Sequence, residues 1–254
     1  MAIPNSKHSQ RDVFMKNFRN TEELLAWVIN FFAAEFGNNA IIRGGMALRL
    51  LNSPRYTNDI DYVFVPFTSK KELKPLIEKK LSSVQGLDFN ITLNSKIMDI
   101  NINYLSQSCQ IEINTETECE SLATSSSPIA SLYGMPSKIV RIANLPTAFA
   151  HKIAAWNERE LLRDLFDIYQ YKTILKVEPN LEILQKRFAK VRIYQNAKPA
   201  KNLKALKEKL LLAANELDEQ KIQELKPLLP EAELAGLHLR MAAAVRGICG
   251  GDGY

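Results

Sequence analysis

The spacing of apolar residues changes near Pro146, and this change constrains the fold more than any other feature of the 254-residue sequence. Before it, short runs such as 59–65 alternate apolar and polar residues, as half-buried strands do. After it, apolar residues recur about every 3.6 positions, which is typical of helices. We therefore predict an α/β (α+β) domain with a mixed sheet over residues 1–145, followed by a mostly α-helical C-terminal domain over residues 146–254.

The same patterns place individual elements in the two predicted domains. The first domain should contain helices at 21–36, just after Gly44-Gly45, and at 70–81, with strands at 40–42, 59–65, 89–93, 97–104, 109–114 and 138–142. Its polar segment 115–128 is predicted to be a loop. The second domain should contain helices at 148–157, 161–176, 181–191, 201–212 and 231–245, and the tail after residue 247 should be frayed.

Several functional classes are disfavoured by the sequence. The three cysteines have no Cys-x-x-Cys spacing, which argues against a disulfide framework and a cysteine zinc site. The N-terminal residues lack the apolar core of a signal peptide, and the longest apolar stretch, 24–36, is too short and polar to span a bilayer. Neither a Ser/His/Asp arrangement nor a P-loop is recognisable. We therefore expect a cytoplasmic protein with no membrane partner.

Positive charge is concentrated in the second half of the chain. The net charge is +5 overall, with −1 over residues 1–135 and +6 over residues 136–254. Nine basic residues and one glutamate lie between positions 186 and 209; the basic ones are Lys186, Arg187, Lys190, Arg192, Lys198, Lys201, Lys204, Lys207 and Lys209. Such a cluster attracts polyanions such as RNA, although a solvated helix face would have the same composition.

Two adjacent features of the first domain have the composition of a nucleotide site. Gly44-Gly45 would let the backbone approach a phosphate, and the helix that follows would offer free N–H groups to it. Asp59 and Asp61 fall at i and i+2 of a strand, so both carboxylates lie on one face and could bind a hard divalent cation. Nucleotidyl transfer needs these two parts, but an isolated Asp-x-Asp is more often a solvated strand face.

A third carboxylate is expected on a neighbouring strand. Glu112 is favoured because its strand follows a hairpin that would return it to the side of Asp59 and Asp61. Asp99 is the alternative, and either residue could instead be a polar side chain on the wet face of an antiparallel sheet.

Two blocks of sequence resemble the AbiEii/AbiGii family of toxin nucleotidyltransferases, which have the DNA polymerase β-like fold. The first block is IRGGMAL at 42–48 with RYTNDIDY at 55–62, and it is similar to the first motif of that family. The second is AHKIAAW at 150–156 with RDLFDIY at 163–169, and it resembles the family's Lys-containing helix and its Arg-Asp-x-x-Asp segment. Superfamily members often have Gly-Ser in place of Gly44-Gly45, and Lys is frequent at the position of Arg43.

The resemblance implies a role for each matching residue. Gly44 and Gly45 would lie at the triphosphate, and Thr57 would hydrogen-bond a phosphate. Asp59 and Asp61 would hold Mg²⁺ or Mn²⁺, together with the third carboxylate expected above, Glu112 or Asp99. Lys152 would contact nucleotide phosphate, and Asp164 would be the later functional carboxylate, with Asp167 as the alternative.

The second block also has an interpretation from its spacing alone. If it forms one helix, Lys152, Trp156, Arg159 and Arg163 lie at i, i+4, i+7 and i+11 and make a single stripe. A stripe with three cations and no aliphatic residue suits an anionic ligand or a carboxylate partner. Asp167 could instead form structural salt bridges, and Trp156 could stack on a base or, more simply, be packed between the two domains.

The expected function is therefore metal-dependent transfer of a nucleotide from an NTP to an acceptor. The resemblance implies RNA such as a tRNA 3′ end as acceptor, toxicity as the outcome, and a cognate antitoxin in a toxin–antitoxin or phage-abortive-infection system. Two alternatives stay open: transfer to a protein side chain or a small molecule, and nucleotide binding without catalysis.

Overall fold

A computed structural model of the protein describes residues 17–190 and 198–250 and contains one mixed sheet of seven strands in the order β3-β4-β5-β2-β1-β7-β6. The strands are β1 (Ala40–Arg43), β2 (Asp59–Phe64), β3 (Asp88–Leu93), β4 (Met98–Tyr104), β5 (Gln107–Thr115), β6 (Ser121–Ser125) and β7 (Ile139–Ala143). Strands β2 and β5 are parallel, whereas β3–β4 and β4–β5 are antiparallel pairs.

Helices precede, interrupt and follow the strands. In the first half they are α1 (Thr21–Phe36), α2 (Gly44–Leu50), α3 (Lys70–Ser82) and α4 (Ser127–Ala130). In the second half they are α5 (Leu145–Arg159), α6 (Leu162–Tyr169), α7 (Leu181–Phe188), α8 (Leu203–Asn215), α9 (Glu219–Ile222), α10 (Glu231–Leu234) and α11 (Leu237–Gly250). No helix of the described residues is both long and apolar enough to cross a membrane.

The chain divides into two compact units that are interleaved in sequence. The first unit contains the residues up to 42 with 58–119 and 123–141, and the second contains 43–57, 120–122 and the residues from 142 onward. The predicted boundary at residue 145 would place segments 43–57 and 120–122 in the first domain. In the structure these two segments group with the helical unit instead. The glycine pair and the Asp-x-Asp pair fall in different units, and each is described separately below.

The core of the first unit forms on the apolar face of β2. Helix α1 begins after Asn20, whose side chain accepts a hydrogen bond from the Glu23 N–H and caps the helix. Phe32 of α1 is fully buried and stacks on Tyr62, with 5.1 Å between the ring centroids. Since side chains alternate along a strand, burial of Ile60 and Tyr62 directs Asp59 and Asp61 to the opposite face.

The core of the second unit forms between α5, α6 and the last helices. The Asn144 side chain caps the start of α5. The helix ends at Arg159 and is followed by Glu160, which has a left-handed backbone with a φ of 54°. Phe149 of α5 stacks on Tyr171 at 5.2 Å. Tyr171 lies in a π-helical turn, Gln170–Ile174, that directly follows α6.

Three sequence predictions were wrong in detail. The predicted loop at 115–128 contains β6, an edge strand whose Ser and Thr content conceals its pairing with β7. The predicted helix at 231–245 is two helices, because Gly236 adopts a φ of 62° between them. The predicted helix at 161–176 changes from α to π geometry at Gln170. Residues 191–197 and 251–254, which include the end of a predicted helix and most of the tail, lie outside the described residues.

Candidate active site

The first unit carries a row of carboxylates across three adjacent strands. Asp59 and Asp61 are half-buried and lie at alternate positions of β2, on its non-core face. The register pairs Asp61 with Glu112 of β5, and pairs Glu112 with Asp99 of β4. Residues that are paired across a sheet share a face, so these four carboxylates lie on the same face.

The sheet order distinguishes the two candidates for a third carboxylate. Strand β5 is next to β2, whereas β4 is one strand further away. Adjacent strands are about 4.8 Å apart, so Glu112 lies about one strand spacing from Asp61 and Asp99 about two. Asp99 also accepts hydrogen bonds from Asn94, at 3.0 Å, and Gln110, at 3.4 Å. Position therefore favours Glu112 over Asp99.

The donor set fits a hard divalent cation in its chemistry. Carboxylate oxygens are the ligands that Mg²⁺ prefers, and Asp59 and Asp61 offer them from one rigid strand. Among residues 17–190 and 198–250, however, no three His, Cys, Asp or Glu side chains converge closely enough to form a ready-made metal site. A third ligand such as Glu112 would have to change its side-chain conformation to join the pair.

The glycine pair lies in the second unit, at the start of α2. Gly44 has a φ of 72°, a left-handed conformation that glycine adopts without strain. A Cβ on Gly45 would lie 2.5 Å from the Arg55 Nη2 atom and 3.4 Å from the Thr57 Oγ1 atom. The open side of Gly45 therefore accommodates the Arg55 guanidinium, a contact that the sequence reasoning missed.

Arg55 belongs to the segment between α2 and β2 and is buried. Its Nε and Nη2 atoms donate to the two carboxylate oxygens of Asp167, at 2.8 and 3.0 Å. The same segment is anchored by a backbone hydrogen bond from Tyr56 N–H to Leu228 O at 2.9 Å. The fixed Arg–carboxylate geometry thus joins this segment to α6, which follows it by more than a hundred residues.

Lys152 of α5 completes this buried cluster. Its Nζ atom lies 2.6 Å from Asp167 Oδ2 and 3.7 Å from Asp164 Oδ1. Asp164 also accepts two hydrogen bonds from Arg159, at 2.6 and 2.7 Å. Both aspartate side chains are fully buried, whereas Lys152 is 13% exposed. We refer to Arg55, Lys152, Arg159, Asp164 and Asp167 as the Lys152 cluster.

The charges of the Lys152 cluster stabilise one another. Burial alone would raise the pKa of Asp167, but the positive charges of Lys152 and Arg55 outweigh it and hold that pKa below its ordinary value. Asp167 is therefore an ionised carboxylate at neutral pH. Three cations face two carboxylates within the cluster, which leaves an excess of one positive charge.

The predicted stripe of basic residues on one helix was wrong. Helix α5 ends at Arg159, so Arg163 lies on α6 instead and is exposed. A left-handed residue at position 160 breaks the helix, and no Gly or Pro in the sequence signals the break. Trp156 is buried, and the Lys209 Nζ atom lies 5.5 Å from the centroid of its ring.

A family model described as the nucleotidyl transferase AbiEii toxin of type IV toxin–antitoxin systems matches residues 28–243, which is most of the chain. The chain belongs to this family. A search of curated proteins gave no match. As an AbiEii-family member the protein is a nucleotidyltransferase with NTP substrates, and the family's toxin–antitoxin assignment implies an antitoxin partner.

Solved structures of low sequence identity resemble this chain to different degrees. JHP933 from Helicobacter pylori is 14% identical, with 90% of each chain covered and a TM-score of 0.50. The CdnE cyclic dinucleotide synthase of Elizabethkingia meningoseptica is 15% identical, with 76% of this chain and 78% of that chain covered and a TM-score of 0.28. The family match and the mixed seven-stranded sheet with helices agree with the predicted polymerase β-like α/β fold of this AbiEii-family protein.

The basic cluster of the AbiEii-family chain is partly neutralised. Lys186 pairs with Glu182, Arg187 with Glu158, and Lys209 with Glu160. Lys198, Lys201 and Lys204 are exposed and form no ion pair within the described part of the chain, and Arg192 lies outside that part. Lys198 and Lys201 line an open cleft of about 770 Å³.

Four hydrogen bonds hold this cleft in place, and the two between Asn157 and Ala200 are buried. The Asn157 side chain donates to the Ala200 carbonyl at 2.9 Å and accepts from the Ala200 N–H at 2.8 Å. The Lys209 ammonium donates to the Asn157 carbonyl at 2.9 Å and to the Lys198 carbonyl at 3.1 Å. Lys198 and Lys201 are therefore presented on a segment that is fixed to the end of α5.

Proposed function

We propose that this protein transfers a nucleotide from an NTP to the 3′ end of an RNA such as tRNA, in a reaction that depends on Mg²⁺ or Mn²⁺. The hydroxyl oxygen of the acceptor would form a bond to the α-phosphorus, and the bond from that phosphorus to the β-phosphate bridging oxygen would break. Pyrophosphate would leave with the displaced electron pair. The observation that carries the proposal is the Asp59–Asp61 pair on one face of β2 in a chain of the AbiEii family.

Asp59 and Asp61 are proposed to hold the divalent ions, with Glu112 as the third carboxylate. The bound ions would polarise the attacking oxygen and offset the charge of the leaving pyrophosphate. Half-burial of both aspartates supports this role, because the carboxylates are rigidly placed and still reachable from solvent. Asp99 is proposed to hold the turn before β4 through its bond to Asn94.

Lys152 is proposed to bind a phosphate of the nucleotide. Its ammonium is 13% exposed, whereas the two carboxylates that it contacts are fully buried. A flexible ammonium can move from Asp164 towards an incoming phosphate while it keeps its bond to Asp167. Gly44 and Thr57 are proposed to contact the triphosphate, and Asp164 is proposed to act through Lys152 and Arg159.

The RNA acceptor is proposed to bind through the exposed lysines of the cleft. Lys198 and Lys201 of the cleft, with Lys204 of the following helix α8, are exposed and form no ion pair within the described residues. Phosphodiester binding by such lysines is driven by counterion release. Reversal of these three charges should weaken RNA binding at low salt and flatten its dependence on salt concentration. Unchanged RNA binding by the triple variant would remove this surface from the proposal.

The test is to incubate the protein with each α-³²P-labelled NTP, Mg²⁺ and total cellular RNA. The matched control is an Asp59→Asn/Asp61→Asn variant, which keeps the side-chain volume and removes both charges. Label in a tRNA-sized band with the wild type alone supports the proposal and identifies the nucleotide. Label on protein, or on a small molecule, would support nucleotidyl transfer but contradict RNA as the acceptor. Absence of label from every acceptor would contradict nucleotidyl transfer itself.

A further inference from the structure

The bond between Arg55 and Asp167 gives Arg55 a part in the Lys152 cluster that the family motifs do not indicate. Arg55 is only 7% exposed and Asp167 is fully buried. Arg55 engages both carboxylate oxygens, and Lys152 engages one of the same two oxygens at 2.6 Å. The two cations therefore share one carboxylate, and a displacement of either must alter the position of the other.

Sharing the carboxylate also sets the charge that Lys152 offers to a ligand. If Asp167 faced Lys152 alone, it would neutralise the ammonium and hold it tightly. Because Arg55 takes both oxygens in bidentate geometry, much of the negative charge of Asp167 is already balanced. Arg159 does the same for Asp164. Lys152 is therefore not the sole cationic partner of either carboxylate that it contacts.

Gly45 is required by this arrangement for a steric reason. The Arg55 guanidinium occupies the space that a side chain at position 45 would need, with Nη2 at 2.5 Å from the ideal Cβ position. Even alanine would displace the guanidinium and with it the bond to Asp167. The second glycine of the pair therefore serves the Lys152 cluster through Arg55.

We propose that Arg55 is a positioning residue, which acts through Asp167 to place and charge the Lys152 ammonium for a nucleotide phosphate. This inference rests on the proposed phosphate-binding role of Lys152. It assigns the segment between α2 and β2 a function in nucleotide affinity. It also explains why a lysine at position 55 could not replace the arginine, since an ammonium cannot bind both carboxylate oxygens in a planar fork.

The test measures equilibrium affinity for whichever of the four NTPs the wild type binds most tightly, so that no acceptor is needed. Arg55→Lys should weaken binding about tenfold, the equivalent of one charge-assisted hydrogen bond. The double variant Arg55→Lys/Lys152→Ala should bind no more weakly than Lys152→Ala alone, because the two residues act on one interaction. Arg163→Lys, an exposed arginine on α6, is the matched control and should bind as the wild type does.

A second readout separates positioning from simple loss of structure. Arg55→Ala should regain affinity when methylguanidinium is added, whereas Lys152→Ala should not, since the small cation can fill the vacated place beside Asp167. Weak binding that is additive in the double variant and is not rescued would overturn the inference. A Lys152→Ala variant that binds as tightly as the wild type would overturn both this inference and the proposed role of Lys152, whereas normal binding by Arg55→Lys alone would overturn only this inference.

Discussion

Replacement of Asp167 by asparagine is the perturbation for which the geometry makes the strongest prediction. The substitution keeps the size of the side chain but removes the charge that Arg55 and Lys152 share. Arg55 would then be a buried cation without its carboxylate. Removal of one partner from a buried ion pair costs about 3–5 kcal/mol, because the remaining charge stays uncompensated. Asp164 lies 3.7 Å from Lys152 and offsets part of this loss, so we expect about 3 kcal/mol.

Urea unfolding at pH 7 measures this loss directly. With a slope of about 3 kcal/mol per molar urea, the midpoint of Asp167→Asn should fall by about 1 M. The matched control is Glu182→Gln, which breaks an exposed pair with Lys186 on α7 and should leave the midpoint unchanged. An equal shift for the two variants would refute the claim that the Lys152 cluster contributes to stability.

The effect should also depend on pH in a defined direction. The folded protein lowers the pKa of Asp167 below its ordinary value of 3.8. A lowered pKa means that the stabilisation is fully present well above 3.8 and is lost as the pH falls through the folded-state pKa. The difference in midpoint between the wild type and Asp167→Asn should therefore be constant from pH 7 to pH 5 and shrink below about pH 4. A difference that grows on acidification would contradict the assignment of an ionised Asp167.

Three further predictions concern the first unit. Tyr62→Phe should stabilise the protein by up to about 1 kcal/mol in thermal or urea unfolding, because the buried Tyr62 hydroxyl has no hydrogen-bond partner among the described residues; a loss of stability would indicate a partner. Asp59→Asn and Asp61→Asn should each lower nucleotidyl transfer by at least about a hundredfold, and retained transfer would exclude them as metal ligands. Glu112→Gln should lower nucleotidyl transfer more than Asp99→Asn does. The reverse order in the same assay would favour Asp99 over Glu112 as the third metal-binding carboxylate.

Much of the fold could be predicted because local patterns and tertiary packing agree. Helix α1 has its predicted bounds, with a cap at its start and an apolar face that packs on β2. Strands β2 to β5 and helix α3 also follow their predicted periods within a few residues. In α1, α3, β2, β4 and β5 the apolar residues that alternate or recur in the sequence include those that the structure buries, whereas β3 is only partly covered.

The errors lie where local signals are weak. Strand β6 is formed by Ser, Thr and small residues at the edge of the sheet, so neither burial nor alternation reveals it. The break after Arg159 occurs at a glutamate with positive φ, which composition does not predict. Both cases depend on pairing or packing with distant parts of the chain.

The candidate site also depends on contacts between residues that are distant in sequence, which local patterns do not reveal. Spacing alone singled out Asp59 and Asp61, and the resemblance gave Lys152 a role, but Arg55 received none although it begins the matched segment 55–62. Its partner Asp167 is more than a hundred residues away in sequence, and no periodic signal connects the two. A charged residue in an irregular segment is ordinarily exposed, so its burial becomes evident only in three dimensions.

The central claim is that this protein adds a nucleotide to the 3′ end of RNA, and transfer to chemically modified RNA tests it most directly. Periodate oxidation converts the terminal 2′,3′-diol into a dialdehyde and removes the attacking hydroxyl, while the rest of the RNA is unchanged. With α-³²P-labelled NTP and Mg²⁺, purified tRNA should be labelled and the oxidised tRNA should not. Equal labelling of the two RNAs, or labelling of neither with transfer to protein, would contradict the account.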